Sequence, residues 1–266
     1  MTLDAVVTDL DGTIIRADGT ITEATLSACR TLQARGIPVI AATARTPAGI
    51  RALTTLTPHL TLAVCCGGSV GYAPAGETVL WQDVVHADAI SGLLAYVRES
   101  LPGAGVAAYD GSSWRMTEEY LAIRTSPHNG PTAVVPMEAL ADVAACGMTL
   151  CHPVLRPEEI IAELEQRGLA LSLSYAGPEL VEIAAAGIDK ASGVARALRE
   201  VRVPGERAVA FGDMPIDIPM FTVVGTSVAM ADSPPAVLSA ATMVTATVEE
   251  DGFTTALTDL GLLPRG

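Results

Sequence analysis

Short, largely apolar runs recur along the chain, and longer segments of mixed polarity separate them. Each run has four to seven residues and lacks a regular alternation of apolar and polar positions. Continuous apolar runs of this length are typical of strands that are buried on both faces, as in a parallel sheet. Four such strands are predicted at 5–8, 37–42, 60–66 and 207–211.

Helical segments connect the first three of these strands. Thr22 can cap a helix that ends at about Arg35, and a second helix is predicted over 47–56. Turn residues within 14–21 predict a small hairpin-like flap before the first helix. The alternation of strand and helix predicts an α/β fold with a doubly wound, mostly parallel, Rossmann-like sheet.

The alternation changes between residues 82 and 184. This part of the chain combines two helices with strands that alternate as in antiparallel pairs, while 124–135 is rich in turn formers and predicts no element. We therefore expect an α+β cap domain at 82–184, inserted into a core formed by 1–81 and 185–266. The helices are predicted at 87–100 and 157–166, and the strands at 106–109, 113–117, 147–151, 169–175 and 180–185.

Carboxylates follow two of the buried strands. Asp9 and Asp11 leave the first strand two residues apart, so their side chains can point to the same side. Asp213 and Asp217 follow the strand that ends near residue 211. The ends of neighbouring parallel strands meet in one crevice, where several carboxylates would repel each other without a cation. Oxygen ligands of this kind favour Mg²⁺ beside a phosphate group.

Two further polar residues are expected near the same edge. Thr43 comes directly after the second buried strand. Lys190 falls in the first turn of a helix that Asp189 can cap, where the helix dipole disfavours a cation. Lys190 is therefore either an exposed lysine that reaches solvent or a lysine aimed at a bound anion.

Composition limits the possible partners. The 266 residues include 16 Lys and Arg against 30 Asp and Glu, a net charge of −14, which argues against binding nucleic acid or an anionic membrane surface. The five cysteines are odd in number and form no C-x-x-C pair, so buried thiols are expected. No signal peptide or membrane-spanning run is recognised, and we expect a cytoplasmic protein that is a monomer or a homodimer.

Six short motifs follow one another along nearly the whole chain. They are Asp9-Leu10-Asp11-Gly12-Thr13, Ala42-Thr43-Ala44-Arg45, Gly187-Ile188-Asp189-Lys190, Gly212-Asp213-Met214-Pro215-Ile216-Asp217, Gly225-Thr226-Ser227-Val228-Ala229-Met230 and Glu250-Asp251-Gly252. In this order they resemble the motifs of the haloacid dehalogenase-like (HAD) superfamily, in its Cof-type phosphatase branch. The 82–184 segment falls where that branch carries its cap.

The resemblance implies a Mg²⁺-dependent phosphatase that acts on a small phosphorylated metabolite of the sugar-phosphate type. Asp9 would be the nucleophile that forms an aspartyl-phosphate, and Asp11 would be the general acid and base. Thr43 and Lys190 would hold the phosphoryl oxygens. The implied magnesium ligands are Asp9, the Asp11 backbone carbonyl and Asp213, with Asp217 either ligating the ion or supporting it. The implied substrate-binding positions are Ala44 and Gly67.

Some positions depart from the branch. Cys66 stands where asparagine usually precedes the paired glycine, Ile216 replaces another asparagine, and Asp232 falls in a run that is usually Gly-Asn-Ala. Because Ile216 lacks the amide, we expect a weaker Mg²⁺ requirement than in relatives with asparagine, seen as a higher half-saturating Mg²⁺ concentration. Arg45 is expected to form a structural ion pair rather than a substrate contact. A phosphomutase using the same aspartates and a catalytically silent binding protein of the same fold are the alternatives.

Overall fold

The computed structural model describes residues 3–124, 130–175, 177 and 179–264. The strands are β1 (Ala5–Thr8), β2 (Val39–Ala42), β3 (Leu62–Cys65), β4 (Val70–Ala73), β5 (Thr78–Gln82), β6 (Gly105–Tyr109), β7 (Trp114–Met116), β8 (Thr132–Val134), β9 (Gly147–Cys151), β10 (Leu171–Tyr175), β11 (Val181–Ala185), β12 (Ala208–Gly212), β13 (Thr226–Ala229) and β14 (Met243–Val244). The α-helices are α1 (Glu23–Ala34), α2 (Pro47–Ala52), α3 (Ala87–Ser100), α4 (Glu118–Ile123), α5 (Pro157–Gln166), α6 (Lys190–Glu200), α7 (Ile218–Phe221), α8 (Pro235–Ala240) and α9 (Gly252–Asp259).

Eight strands form a sheet in the order β14-β13-β12-β1-β2-β3-β4-β5. The strands from β14 to β3 are parallel, and β4 and β5 extend the sheet in antiparallel pairs. The chain moves from β1 through β2 to β3 on one side and later adds β12 on the other side of β1. The strand order therefore reverses between β1 and β12, which is the place where open α/β sheets bind ligands.

Both faces of this sheet are buried, which explains the continuous apolar runs. Val6 of β1 packs into a cluster with residues of α1 and α9. Its neighbours Ala5 and Val7 face the other way, into a cluster with residues of α6 and α7. The predicted doubly wound α/β fold is thus confirmed.

The other six strands form a sheet in the order β10-β11-β9-β6-β7-β8. Its pairs are antiparallel apart from β7 with β8. One face packs against α3 and α5 through a separate apolar cluster. The chain enters this part after Gln82 and leaves it after Ala185, close to the predicted domain boundaries of 82 and 184, which stay a proposal.

Three local expectations differ from the structure. The 14–21 segment forms turns instead of a hairpin, because Ile14 and Ile15 are buried and their backbone N–H groups both donate to Leu10 O. α2 ends at Ala52, four residues earlier than expected. A strand, β8, lies in the segment where no element was predicted, and residues 125–129 of that segment lie outside the described residues.

No helix among the described residues is long and apolar enough to cross a membrane. All five cysteines are free thiols, and four of them are buried.

Candidate active site

Three aspartates meet at the carboxyl ends of β1 and β12. The two strands pair in parallel with Thr8 opposite Phe211, and the Asp9 N–H donates to Phe211 O at 2.9 Å. Each of Asp9, Asp213 and Asp217 offers a carboxylate oxygen, and these three oxygens lie within 4.8 Å of one another. The structure therefore brings these predicted carboxylates together at the point where the strand order reverses.

Lys190 lies at the centre of this group. Its side chain is 1% exposed, and Nζ donates to Asp9 Oδ1 at 2.7 Å and to Asp217 Oδ1 at 2.6 Å. Lys190 is therefore not an exposed lysine that reaches solvent, and its role toward a bound anion stays a prediction. Asp189 caps α6, with its side chain accepting from the Ser192 N–H, and this fixes Lys190 as the first residue of the helix.

A glycine allows α6 to come close to the sheet edge. A Cβ at Gly68 would lie 2.1 Å from the backbone oxygen of Asp189, and the φ angle of Gly68 is +127°. A side chain at this position would therefore push the start of α6 away from the loop that follows β3. The buried position of the Lys190 side chain depends on this close approach.

Backbone and hydroxyl groups orient the two later aspartates. Asp217 is fully buried, and its Oδ2 accepts from the N–H groups of Asp213 and Met214, each at 3.0 Å. Asp213 Oδ1 accepts from the Thr13 hydroxyl at 2.7 Å. Gly12 has a φ of +86°, and a Cβ there would lie 2.4 Å from Asp213 Oδ2. The turn after β1 thus needs glycine for its conformation and to make room for this carboxylate.

Burial shapes the charges of the site. Burial raises the pKa of Asp9 well above its usual range, while the charge of Lys190 opposes this rise. Burial also raises the pKa of Asp213 to about 6, although the Thr13 hydroxyl opposes it. Burial alone would lower the pKa of Lys190, but attraction to Asp217 and Asp9 raises it above its usual value. Three carboxylates face one ammonium group, so the site has a surplus of negative charge when all of them are ionised.

Asp11 lies at the mouth of the site, outside the buried group. Its side chain is 56% exposed, and Arg45 donates to both carboxylate oxygens, from Nε at 2.7 Å and from Nη2 at 2.6 Å. The ion pair expected for Arg45 is present, and its partner is the predicted general acid and base. This bidentate contact fixes the orientation of the Asp11 side chain.

The remaining predicted residues border a cavity of about 490 Å³ between the two sheets. Ala44, Gly67 and Lys190 line it from the eight-stranded sheet, and Thr149 and Glu182 line it from the other. Thr43 is buried directly beside this lining, and its Oγ1 accepts from the Arg45 N–H at 3.1 Å. The predicted substrate-binding positions Ala44 and Gly67 therefore lie where a bound molecule could reach Lys190.

Sequence reasoning missed Glu182. This residue stands between the apolar residues Val181 and Ile183 of β11, eight positions before Lys190. A charged residue at the outward position of a strand is ordinarily solvated, so the pattern alone gave no reason to select it. Its proximity to the motif that contains Lys190 was the available signal.

Comparison with known proteins finds relatives that align with nearly the whole chain. A 256-residue alignment with the pyridoxal phosphate phosphatase YbhA of Escherichia coli shows 25% identity and covers 92% of this chain and 93% of that protein. The 5-amino-6-(5-phospho-D-ribitylamino)uracil phosphatase YcsE of Bacillus subtilis is 24% identical over 249 residues. That alignment covers 94% of this chain and 92% of YcsE.

Similarity to solved structures extends over the whole fold. The HAD subclass IIB sugar phosphatase BT4131 superposes with a TM-score of 0.86 at 22% identity, covering 98% of this chain and all of that chain. At this level of identity the likeness shows a shared fold. The sequence model described as haloacid dehalogenase-like hydrolase matches residues 6–257. The chain therefore belongs to the haloacid dehalogenase-like hydrolase family.

Proposed function

We propose that this chain is a Mg²⁺-dependent phosphatase that hydrolyses a small phosphorylated metabolite through a phosphoryl group carried by Asp9. The observation that supports this most directly is the buried contact of Lys190 with Asp9 and Asp217 beside the cavity. Phosphoryl transfer depends mainly on positioning and on neutralising charge, and this arrangement supplies both.

The donor set fits a magnesium ion. The three clustered groups are carboxylates, all of their donor atoms are oxygen, and their charge exceeds that of Lys190. Asp9, Asp213, Asp217 and the backbone carbonyl of Asp11 would hold the ion. When bound, Mg²⁺ would neutralise charge on the carboxylates and on the phosphoryl oxygens.

Asp9 is suited to act as the nucleophile. Lys190 occupies Oδ1 of this carboxylate, which leaves Oδ2 to attack the phosphorus atom of the substrate. The bond from phosphorus to the leaving oxygen breaks as the bond to Asp9 forms, and a proton from Asp11 neutralises the leaving oxygen. Thr43 and Lys190 would hold the other phosphoryl oxygens during this transfer.

Asp11 would then act as a base. Its carboxylate takes a proton from a water molecule, the water oxygen bonds to phosphorus, and the bond to Asp9 breaks to release inorganic phosphate. Arg45 now holds both Asp11 oxygens, which suits the base form. For Asp11 to carry the proton needed in the first step, Arg45 must release at least one of these oxygens.

We also propose that residues 82–184 form a cap that rocks over the site, with hinges near Gln82 and Ala186. The cavity between the two sheets supports this, because closure of a cap at this place would exclude water from the reacting groups. Structures of the free and ligand-bound protein with the same angle between the two sheets would contradict the movement.

The named relatives support a phosphomonoester as the substrate. By their names, one acts on pyridoxal phosphate, one on a phosphorylated ribitylaminouracil, and BT4131 on sugar phosphates. Their common feature is a phosphate ester of a small metabolite, and this is the class that we propose. A phosphomutase could use the same two aspartates, so the test must detect release of phosphate to water.

The test is hydrolysis of p-nitrophenyl phosphate with and without Mg²⁺. We expect steady release of inorganic phosphate over many turnovers, loss of release in a chelator, and loss in Asp9→Asn. Asp18→Asn serves as the matched control, because it removes the same charge from an exposed turn. A single burst of nitrophenol without continued phosphate release would favour a mutase, and no release at all would contradict the proposal.

A further inference from the structure

One face of the six-stranded sheet is directed toward the cavity. Val181 and Ile183 of β11 are buried in the apolar cluster with α3 and α5, so Glu182 between them lies on the opposite face. The residues directly across from Glu182 are Ser174 on β10 and Thr149 on β9. Directly opposed residues share a face of the sheet, and all three line the cavity.

The Glu182 carboxylate meets the eight-stranded sheet at the loop after β3. A Cβ built on Gly67 would lie 3.7 Å from Glu182 Oε2. On the same face of the six-stranded sheet, a Cβ on Gly147 would lie 3.5 Å from Cys66 Cβ. Glu182 therefore reaches across the cavity to the loop that borders the proposed phosphate site.

The electrostatic surroundings of Glu182 combine burial with two cations. Burial raises the pKa of Glu182, while the charges of Lys190 and Arg124 oppose the rise. Lys190 is committed to Asp9 and Asp217, and the Arg124 guanidinium is 3.4 Å from Glu179. Each cation thus already faces two carboxylates, Lys190 those of Asp9 and Asp217 and Arg124 those of Glu179 and Glu182.

Among the residues that the structure describes, the six-stranded sheet lines the cavity with hydroxyl groups and one carboxylate. It contributes no cation to this described lining. The hydroxyls belong to Thr149, Ser172, Ser174 and Tyr175, and the carboxylate belongs to Glu182. Hydroxyls and a carboxylate can bind hydroxyl or ammonium groups of a ligand. A carboxylate or second phosphate would instead be placed against a buried like charge, and like charges brought together reduce affinity strongly.

We propose that Glu182, with Ser174 and Thr149, selects phosphate esters whose leaving group is a polyol or an amine and rejects those whose leaving group is anionic. The inference rests on the proposed phosphatase function and deepens it, because it assigns the chemical class of the group that leaves. Glu182 is a specificity-determining residue in this account, and the chemical steps do not require it.

The test compares three small esters that differ in the charge of the leaving group. Glycerol 3-phosphate carries a neutral diol, phosphoethanolamine an ammonium group and 3-phosphoglycerate a carboxylate. Each is measured as a substrate, by kcat/KM, and as a competitive inhibitor of p-nitrophenyl phosphate hydrolysis. The variants are Glu182→Gln, which keeps the shape but removes the charge, and Ser174→Lys, which places a cation directly opposite Glu182. Glu165→Gln, on the exposed side of α5, removes the same charge away from the cavity.

We expect the unchanged chain to prefer glycerol 3-phosphate and phosphoethanolamine over 3-phosphoglycerate by at least about tenfold. Glu182→Gln and Ser174→Lys should each reduce this preference about tenfold, while Glu165→Gln leaves it unchanged. The inference would be overturned if the unchanged chain used all three esters equally, or if Glu182→Gln and Ser174→Lys kept the preference of the unchanged chain. Either result would leave the phosphatase function intact. Failure of the unchanged chain to hydrolyse p-nitrophenyl phosphate would overturn the proposed function and this inference together.

Discussion

Replacing Lys190 with methionine should destabilise the protein strongly in the absence of magnesium. Methionine keeps the length and apolar stem of lysine, but it leaves Asp9 and Asp217 buried without the ammonium group that now bridges them at 2.7 and 2.6 Å. Removing one partner of a buried ion pair typically costs about 3–5 kcal/mol. Uptake of a proton by the buried Asp9 carboxyl limits the cost, because its pKa is already raised by burial. We therefore expect a loss of about 4 kcal/mol near neutral pH.

The assay is urea unfolding in a chelator, followed by circular dichroism, with thermal unfolding as a second measurement. A loss of about 4 kcal/mol corresponds to a decrease in Tm of roughly 8–16 °C for a protein or domain of this size. The loss should become smaller as the pH falls. An acid with a raised pKa in the folded state stabilises the fold below its unfolded pKa, and that contribution is lost as the pH rises through the folded pKa.

Two further variants make the result specific. Arg199→Met removes a cation from the exposed side of the same helix and should change the stability by less than about 0.5 kcal/mol. Adding Asp217→Asn to Lys190→Met should restore part of the loss, because one uncompensated carboxylate is then absent. A loss below about 1 kcal/mol in Lys190→Met, or no recovery in the double variant, would refute the reasoning.

Three other predictions concern the metal and the proton transfer. The half-saturating Mg²⁺ concentration should rise roughly tenfold for each pH unit below about 6, because a proton then competes for Asp213; a flat profile in a Mg²⁺ titration would contradict this. Arg45→Gln should slow hydrolysis of p-nitrophenyl phosphate roughly 10- to 100-fold, because this ester needs Asp11 only as the base that Arg45 holds in place for the second step; an unchanged rate would contradict that role. Ile216→Asn should lower the half-saturating Mg²⁺ concentration by up to roughly 10- to 100-fold, and identical titration curves would show that this cavity-lining position has no influence on the metal.

The sequence predicts best those elements whose apolar positions form a recognisable pattern, either a helical repeat or a continuous run. α3 was expected at 87–100 and is found at Ala87–Ser100, because its apolar residues Ile90, Leu93, Leu94 and Val97 repeat at helical spacing and pack on one sheet. β1 was recognised because both of its faces are buried, so the whole run is apolar. β4 was missed, since Gly71 takes the place of a side chain where the Trp81 ring packs against the strand, and glycine is not a strand signal.

The site shows a similar limit. The motifs located Asp9, Asp213 and Lys190 at strand and helix ends, and the parallel topology implied that these ends meet. The sequence could not distinguish an exposed Lys190 from a buried one, because the answer depends on how closely α6 approaches the loop containing Gly68. Nor could it pair Arg45 with Asp11, which lies 34 residues away, since side-chain partners across a crevice follow from the folded geometry alone.

An acid-quench experiment on Asp11→Asn tests most directly whether Asp9 carries the phosphoryl group. p-Nitrophenyl phosphate has a good leaving group, so the first transfer should proceed without the acid, whereas loss of the base should slow release of the phosphoryl group. Mixed with this ester and Mg²⁺ and quenched in acid, the variant should show one added phosphoryl group on the peptide containing Asp9, and the Asp9→Asn, Asp11→Asn double variant should show none. A phosphoryl group on another residue, or normal hydrolysis by Asp9→Asn, would contradict the account.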